Sequence, residues 1–468
     1  MKLTLEEVAF ATGGTLIGEN IEITNICTDS RIAKKSDLFI PIIGENFDGH
    51  KFIEEVINKG ASAFITSDGK EYNASYVKVN DTRIALGDIA RYYKEKFDIP
   101  FIAITGSVGK TTTKDIIESV LSRKYKTLKT EGNFNNDIGV PLTLFRLSDG
   151  YECAVIEMGM NHFDEISYLS SIVKPDIGVI TNVGVSHIEN LGSRDGILKA
   201  KTELFDHMQA DATKILNGDD DKLITISDNY DNIEYFSIND RMDLYADNII
   251  IKGINGVSCD IHKGDISFSV DIKIPGKHMV SNALAATAVG LKLGLTKDEI
   301  KAGIENFVPT KMRMDIVKKN NFVIINDVYN SNPQSVMAGI EVLASTEGAT
   351  CAILGDMLEL GEKGPKLHYE VGQYAVESGI DTIICIGEIS RHMYQGGKDC
   401  LSLGTNTSKI HYFKTQDEFF DKVNNIIPLN SSILVKASRG MHFERITERL
   451  NLIDLEKTAE KLRGEINE

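Results

Sequence analysis

The chain has 468 residues, 42% of them hydrophobic and 25% charged, with a formal net charge of −17. That length suits about three domains of roughly 150 residues, each with its own core, and the composition is too apolar for a disordered chain. The negative excess disfavours a polyphosphate backbone or an anionic leaflet as partner, so nucleic acid and membrane are not expected and acidic ligands need local cations.

In chain order, the opening MKLTLEEVAFATGG places Glu6 and Glu7 where a signal peptide would need an unbroken apolar core. No apolar run approaches a membrane span, so the cytoplasm is the expected compartment. Short strands (DLFIPIIG, ASAFITS, YVKV) alternate with helical stretches (HKFIEEVINKG, RIALGDIARYYKEKF) up to Asp98. This predicts a first small α/β domain over residues 1–98.

From Phe101 the strands become continuous apolar runs: FIAIT, CAVIEMG and DIGVITNVG, each followed by a helical segment. Such runs predict a parallel sheet covered on both faces. Residues 245–275 differ, because FSVDIKI alternates strictly, with Phe268, Val270, Ile272 and Ile274 on one side; a half-exposed antiparallel insertion is expected there. The helical run SNALAATAVGLKLG completes a second domain, 99–313. A third, 314–468, is predicted from FVIIND, CAILGD, TIICIG and SILVKAS alternating with helices. The six cysteines are scattered without a CxxC pair and read as buried thiols.

The most informative stretch is TGSVGKTTTK, between the FIAIT strand and a helix. Gly106 and Gly109 permit positive φ and let backbone N–H groups line an anion-binding turn at a helix N-terminus. Lys110 is then placed to reach the outer phosphates of ATP, and the Thr111 hydroxyl to ligate its magnesium. The loop is G-x2-GKT, shorter than the common G-x4-GK[ST], with Ile104 where that pattern has glycine. Two further strands end in chemistry-bearing residues: VIEMGMN puts Glu157 at a strand's C-terminal end, and NVGVSHIENLGS puts His187 just past the next. Open α/β sheets present ligand-binding residues at that edge. The helix after His187 contributes Lys199 and Lys201.

TGSVGKTTTK, EGNFNNDIGVPLTLFRL, EMGMN, VGVSHIENLGS, PGKHMVSNALAATAVG, RMD, NDVYNSNPQSV and LGDMLELG occur in an order that resembles the Mur ligase superfamily. Within it the likeness is to the branch that adds D-alanyl-D-alanine to a UDP-N-acetylmuramoyl-tripeptide. The resemblance implies a UDP-substrate domain, a central ATP-binding domain and a Rossmann-like C-terminal domain. It also implies an amide ligase of peptidoglycan synthesis acting through an acyl phosphate, as a monomer.

By the same resemblance, Gly106, Ser107, Val108, Gly109, Lys110, Thr111 and Thr112 bind the ATP phosphates. Asn282 reads adenine, Asp327 and Asn330 lie on the ribose side, and Arg313 approaches the phosphates. Two Mg2+ sites are implied, one served by Thr111 and Glu157, the other by Glu157, His187 and Lys201. Lys201 matches a lysine carbamylated by carbon dioxide, which turns an ammonium into an oxygen ligand; Lys199 is the fallback. Ser30, Arg31 and His50 match the region that holds the UDP end. Two alternatives stay open at this point: a sister ligase with another amino-acid substrate, such as the folylpolyglutamate type, and a P-loop ATPase or kinase that makes no amide.

Overall fold

The computed structural model describes residues 1–44, 46–404 and 406–466. The chain divides into two compact units: Met1–Thr105 with Lys124–Ile180 and Ala200–Lys214, and Gly106–Arg123 with Thr181–Lys199 and Ile215–Glu468.

In the first unit, the strands Thr15–Ile17, Tyr76–Lys78, Ala63–Thr66, Asp37–Phe39 and Asn25–Cys27 form a sheet in that order. All neighbours are parallel except the Thr15–Ile17 edge. Phe39, Ile53, Val56, Phe64 and Tyr76 form its core. The expected strand DLFIPIIG is cut short, ending at Phe39 because Pro41 has no N–H for the ladder. Ile43–Gly44 turns instead into a short hairpin with Phe47–Asp48. Helix Thr82–Lys94 starts where the Asp81 carboxylate accepts the Arg83 and Ile84 N–H groups.

The same unit carries four parallel strands in the order Thr127–Lys129, Cys153–Glu157, Phe101–Thr105, Ile177–Ile180. The strands formed from the three apolar runs are buried at every position, as expected of strands covered on both faces. Truncating a core residue such as Ile104, which is 0% exposed, to alanine would cost about 2–5 kcal/mol. In this register Ile104 lies opposite Glu157 and Thr105 opposite Ile180. The strands therefore end on one rim.

In the second unit, helix Lys110–Leu121 packs on helices His278–Lys292 and Lys297–Glu305. Glycine permits the second contact: a Cβ at Gly303 would meet Val120 Cα at 2.4 Å. The alternating stretch is antiparallel as expected, Leu244–Ile251, Val257–Lys263 and Ile266–Ile272 pairing in turn. It grows out of a parallel pair, with Phe236 opposite Leu244, and so continues a sheet.

The remaining strands of this unit order as Asp315–Lys318, Phe322–Asn326, Ser431–Lys436, Ala349–Gly355, Thr382–Ile386 and Lys409–Phe413. The first is antiparallel and the others parallel, over a core that includes Ile324, Ile353, Ile384, Ile433 and Phe443. The edge strands Asp315–Lys318 and Lys409–Phe413 escaped the sequence reading because they are half-polar and only partly buried. All six cysteines are buried thiols.

Candidate active site

The glycine loop lies in the second unit. Gly106 (φ 153°) and Gly109 (φ 82°) take the positive-φ conformations the turn needs. A Cβ on Gly106 would lie 1.9 Å from Thr181 Oγ1, so glycine is required there sterically as well. Lys110 opens the helix Lys110–Leu121, and its Nζ donates to the Gly106 carbonyl at 2.7 Å. The ammonium thus lies across the loop where an anion's charge would be met. Thr111 is buried and Thr112 half-buried in the helix's first turn.

The loop's amides are not all directed as the sequence reading expected. Asn182 Oδ1 accepts from Ser107 N–H (3.1 Å) and Val108 N–H (2.9 Å), and its Nδ2 donates to the Val108 carbonyl (3.0 Å). Thr181 Oγ1 donates to that same carbonyl at 2.6 Å, and Ser107 Oγ accepts from Gly184 N–H at 2.8 Å. Ser107 and Val108 therefore shape the turn. Asn182 is a functional residue the sequence reading missed; its only signal was an asparagine directly after the DIGVIT strand. Asn282 reaches the same loop, its Oδ1 accepting from Thr113 Oγ1 at 3.1 Å and facing Gly109. Beside the expected adenine role, it braces the loop from the neighbouring helix.

His187 adopts the left-handed conformation (φ 60°), and its Nδ1 pairs with Glu359 Oε2 at 3.0 Å. His187 holds the Glu359 carboxyl below its ordinary value. Next to it, Ser186 Oγ accepts from Asn332 Nδ2 at 2.8 Å, and a Cβ on Gly184 would meet Gln334 Oε1 at 2.0 Å. The NSNPQ and LEL segments thus press against the strand-end turn that carries His187. Arg313 stacks its guanidinium 3.9 Å above the Tyr329 ring, and its Nε is buried without a hydrogen bond. Asp327 is tied to Lys436, with Nζ to Oδ2 at 2.6 Å, and Asn330 is exposed with its carbonyl on the same ammonium. Ser331 is 5% exposed and its Oγ has no partner; a buried orphan hydroxyl suits a missing polar ligand atom.

Glu157 and Lys201 belong to the first unit. Glu157 is 2% exposed; Asn135 Nδ2 donates to its Oε1 at 2.9 Å, and its own N–H donates to Thr130 Oγ1. Asn135 is the second residue the sequence reading missed, lying in the EGNFNND stretch as a partner of the expected metal-binding carboxylate. Lys201 is 2% exposed, whereas Lys199 is exposed. Two positions apart on one helix face opposite ways, which sets the two lysines apart in a manner their spacing alone left open.

In the UDP-side region, Arg31 is exposed and forks onto Asp29, Nε to Oδ1 at 2.9 Å and Nη2 to Oδ2 at 2.7 Å. Those hydrogen bonds hold the Asp29 carboxyl down at about 2. Ser30 is half-buried and its carbonyl accepts from Lys59 Nζ. His50 is 6% exposed and both ring nitrogens are taken: Nδ1 lies 2.8 Å from Asp48 Oδ1 and Nε2 accepts from Ser67 N–H at 3.1 Å. A ring nitrogen that accepts an amide carries no proton, so Nδ1–H is the donor to Asp48. His50 thus organises the loop from within, while Arg31 keeps a cation in solvent.

The donor types expected for magnesium, a carboxylate, a threonine hydroxyl and an imidazole, are those a hard cation takes. Among the described residues no group of three or more His, Cys, Asp and Glu is placed to hold a metal ion. Among the described residues no helix is long and apolar enough to cross a membrane.

Three family models match: the Mur ligase middle domain over residues 104–290, the Mur ligase glutamate ligase domain over 312–439, and the Mur ligase family catalytic domain over 22–94. A Bacillus subtilis protein named UDP-N-acetylmuramoyl-tripeptide–D-alanyl-D-alanine ligase is 35% identical, covering 96% of this chain and 98% of the relative. A crystal structure of MurF from Acinetobacter baumannii superposes with a TM-score of 0.91 at 33% identity, over 97% of this chain and 99% of that one. A structure of MurF ligase from Thermotoga maritima in complex with ADP gives 0.83 at 26% identity, over 92% and 98%.

Proposed function

The chain belongs to the Mur ligase family, and from that premise we propose that it joins D-alanyl-D-alanine to UDP-N-acetylmuramoyl-tripeptide at the expense of ATP, a step of peptidoglycan synthesis. The relatives' names supply the substrates, and the ADP-bound neighbour supports use of ATP. The observation that carries the nucleotide half of the reading is the Gly106–Lys110 loop, with two positive-φ glycines and a lysine ammonium lying across it at the start of a helix.

The chemistry follows from the charges. An oxygen of the tripeptide carboxylate attacks the γ-phosphorus, the bond to ADP breaks, and an acyl phosphate results. The amine of the dipeptide then attacks the acyl carbon, the C–O bond to phosphate breaks, and the amide remains once the nitrogen has lost a proton. Both partners of the first step are anions, so lowering their repulsion is the main task. Lys110 meets the outer phosphates and Arg313, parked on Tyr329, brings a second cation from the boundary with the 314–468 segment. Asn282, Asp327 and Asn330 take the nucleoside. Bound magnesium would neutralise phosphate and carboxylate charge, held by Thr111 and Glu157 at one site and by Glu157, His187 and carbamylated Lys201 at the other. The deep burial of Lys201 favours that modification over its exposed neighbour Lys199. Ser30 and Arg31 face the UDP end, with His50 ordering the nearby 48–50 turn, and the orphan hydroxyl of Ser331 suits a polar group of the amine substrate. We assign residues 1–98, 99–313 and 314–468 to the UDP-substrate, ATP-binding and Rossmann-like domains, in a monomer that works in the cytoplasm.

Phosphate release decides the reading. With ATP and magnesium, UDP-MurNAc-tripeptide and D-Ala-D-Ala are supplied separately and then together; only the complete mixture turns over rapidly. Equal turnover with either alone overturns it in favour of a plain ATPase. Turnover with a different amino acid in place of the dipeptide identifies a sister ligase.

A further inference from the structure

Lys436 was not among the residues singled out in the sequence, and it is one of the most completely buried large side chains of the protein, 2% exposed. It ends the strand Ser431–Lys436, which lies between Phe322–Asn326 and Ala349–Gly355 in the six-stranded sheet. An ammonium buried so deeply persists only with compensating partners. It has them: Asp327 Oδ2 at 2.6 Å, the Asn330 carbonyl at 2.9 Å and the Asp327 carbonyl at 3.5 Å. The Asp327 carboxylate is further fixed by Met314 N–H, which donates to Oδ1 at 3.2 Å. A carboxylate has about four acceptor positions; two are used internally, and the side chain retains 14% exposure. One buried cation therefore holds both residues assigned above to the ribose side.

We propose that Lys436 is a positioning residue for nucleotide recognition: by gripping Asp327 and the Asn330 carbonyl it sets the carboxylate to accept from ribose hydroxyls, and so lets the enzyme discriminate ATP from deoxy analogues. This rests on the reading of Asp327 as a ribose contact. A carboxylate that accepts a ligand hydroxyl discriminates against its absence by about 10- to 100-fold, and this selectivity requires the acceptor to be held in place before the ligand arrives.

The test measures kcat/KM of the full chain, in the complete substrate mixture, with ATP, 2′-deoxyATP and 3′-deoxyATP. The unmodified protein is expected to prefer ATP by about 10-fold or more over at least one analogue. Lys436→Met is expected to shrink that preference to within about threefold and to raise KM for ATP about tenfold, with kcat changed far less. Because a methionine leaves Asp327 without its counter-ion and so endangers folding, Lys436→Gln, which keeps an N–H donor, is measured alongside and is expected to lose part of the preference. A folded Lys436→Met or Lys436→Gln with undiminished preference overturns the proposal. Asp327→Asn separates the two ideas: if it too retains full preference, the ribose reading of Asp327 fails and the proposal with it. If it loses the preference while the Lys436 variants keep it, only the role of Lys436 is refuted.

Discussion

The Gly106–Lys110 loop and the Asp29–His50 stretch both carry residue types that suit phosphate groups, yet they are built in opposite ways. In the loop, the polar scaffolding comes from distant parts of the chain: Asn182 holds two amides, Thr181 and Asn282 brace the turn, and a lysine lies across it. In the Asp29–His50 stretch the charged side chains pair close in sequence, Arg31 forking onto Asp29 and His50 onto Asp48, while Lys59 and Ser67 reach in from further away. The first region spends its polar side chains on shape and leaves charge to one lysine. The second divides the work between a buried histidine that shapes and an exposed arginine that carries charge.

The comparison is tested most severely at Lys110. Replacing it with methionine removes the loop's cation and its hydrogen bond to the Gly106 carbonyl, while the Asn182 and Thr181 bracing of the turn stays. Phosphate release by the complete mixture is expected to fall by a factor of about 10²–10³ or more, with the thermal midpoint nearly unchanged; a loss under about tenfold would move the burden of charge elsewhere. Asn182→Ala should come next. It strands the Val108 amide, while Ser107 N–H keeps the Asn182 carbonyl, at a cost of about 1–3 kcal/mol, and kcat/KM for ATP is expected to drop about 10- to 100-fold, mainly through KM. A drop in kcat alone would show that Asn182 does more than shape the turn.

Arg31 and His50 should separate cleanly. Arg31→Ala is expected to raise KM for the UDP-linked substrate about tenfold while leaving thermal stability intact, since the side chain is exposed. His50→Ala should lower stability by about 1–3 kcal/mol, because Ser67 N–H and Asp48 lose a buried partner. Equal loss of stability in both variants would erase the proposed division of labour. The smallest effect is the titration of Asp29. Its carboxyl is held down at about 2 against an ordinary 3.8 by Arg31, so the pair is intact above the ordinary value and lost as pH falls through about 2. Carboxyl NMR of Asp29 should show that low midpoint, and Arg31→Ala should return it toward 3.8.

Much of the architecture was readable because it is local. FIAIT, CAVIEMG and DIGVITNVG are uninterrupted apolar runs, which only a sheet covered on both faces accommodates, and they became strands buried at every residue. The half-polar edge strand Lys409–Phe413 gave no such signal. Among the candidate site residues, Lys110, Glu157 and His187 stood out next to a glycine turn or strand ends, and Lys201 stood out through the family resemblance. Asn135, Asn182 and Lys436 did not, since an amide or a lysine in a loop or at a strand end has no pattern of its own.

What the amino-acid order settled alone is the strand–turn–helix grammar: glycines where φ is positive, apolar runs where both faces are covered, and the motif series that joins the chain to its family. What the tertiary structure decided is the pairing of polar groups. Asn182 meets Ser107 across 75 positions and Lys436 meets Asp327 across 109. It likewise decided that Lys201 goes inside while Lys199 stays in solvent. The reason is that backbone conformation and periodicity are encoded within a few residues, whereas a buried hydrogen bond exists only once packing has removed water and brought remote side chains within 3 Å or so of each other.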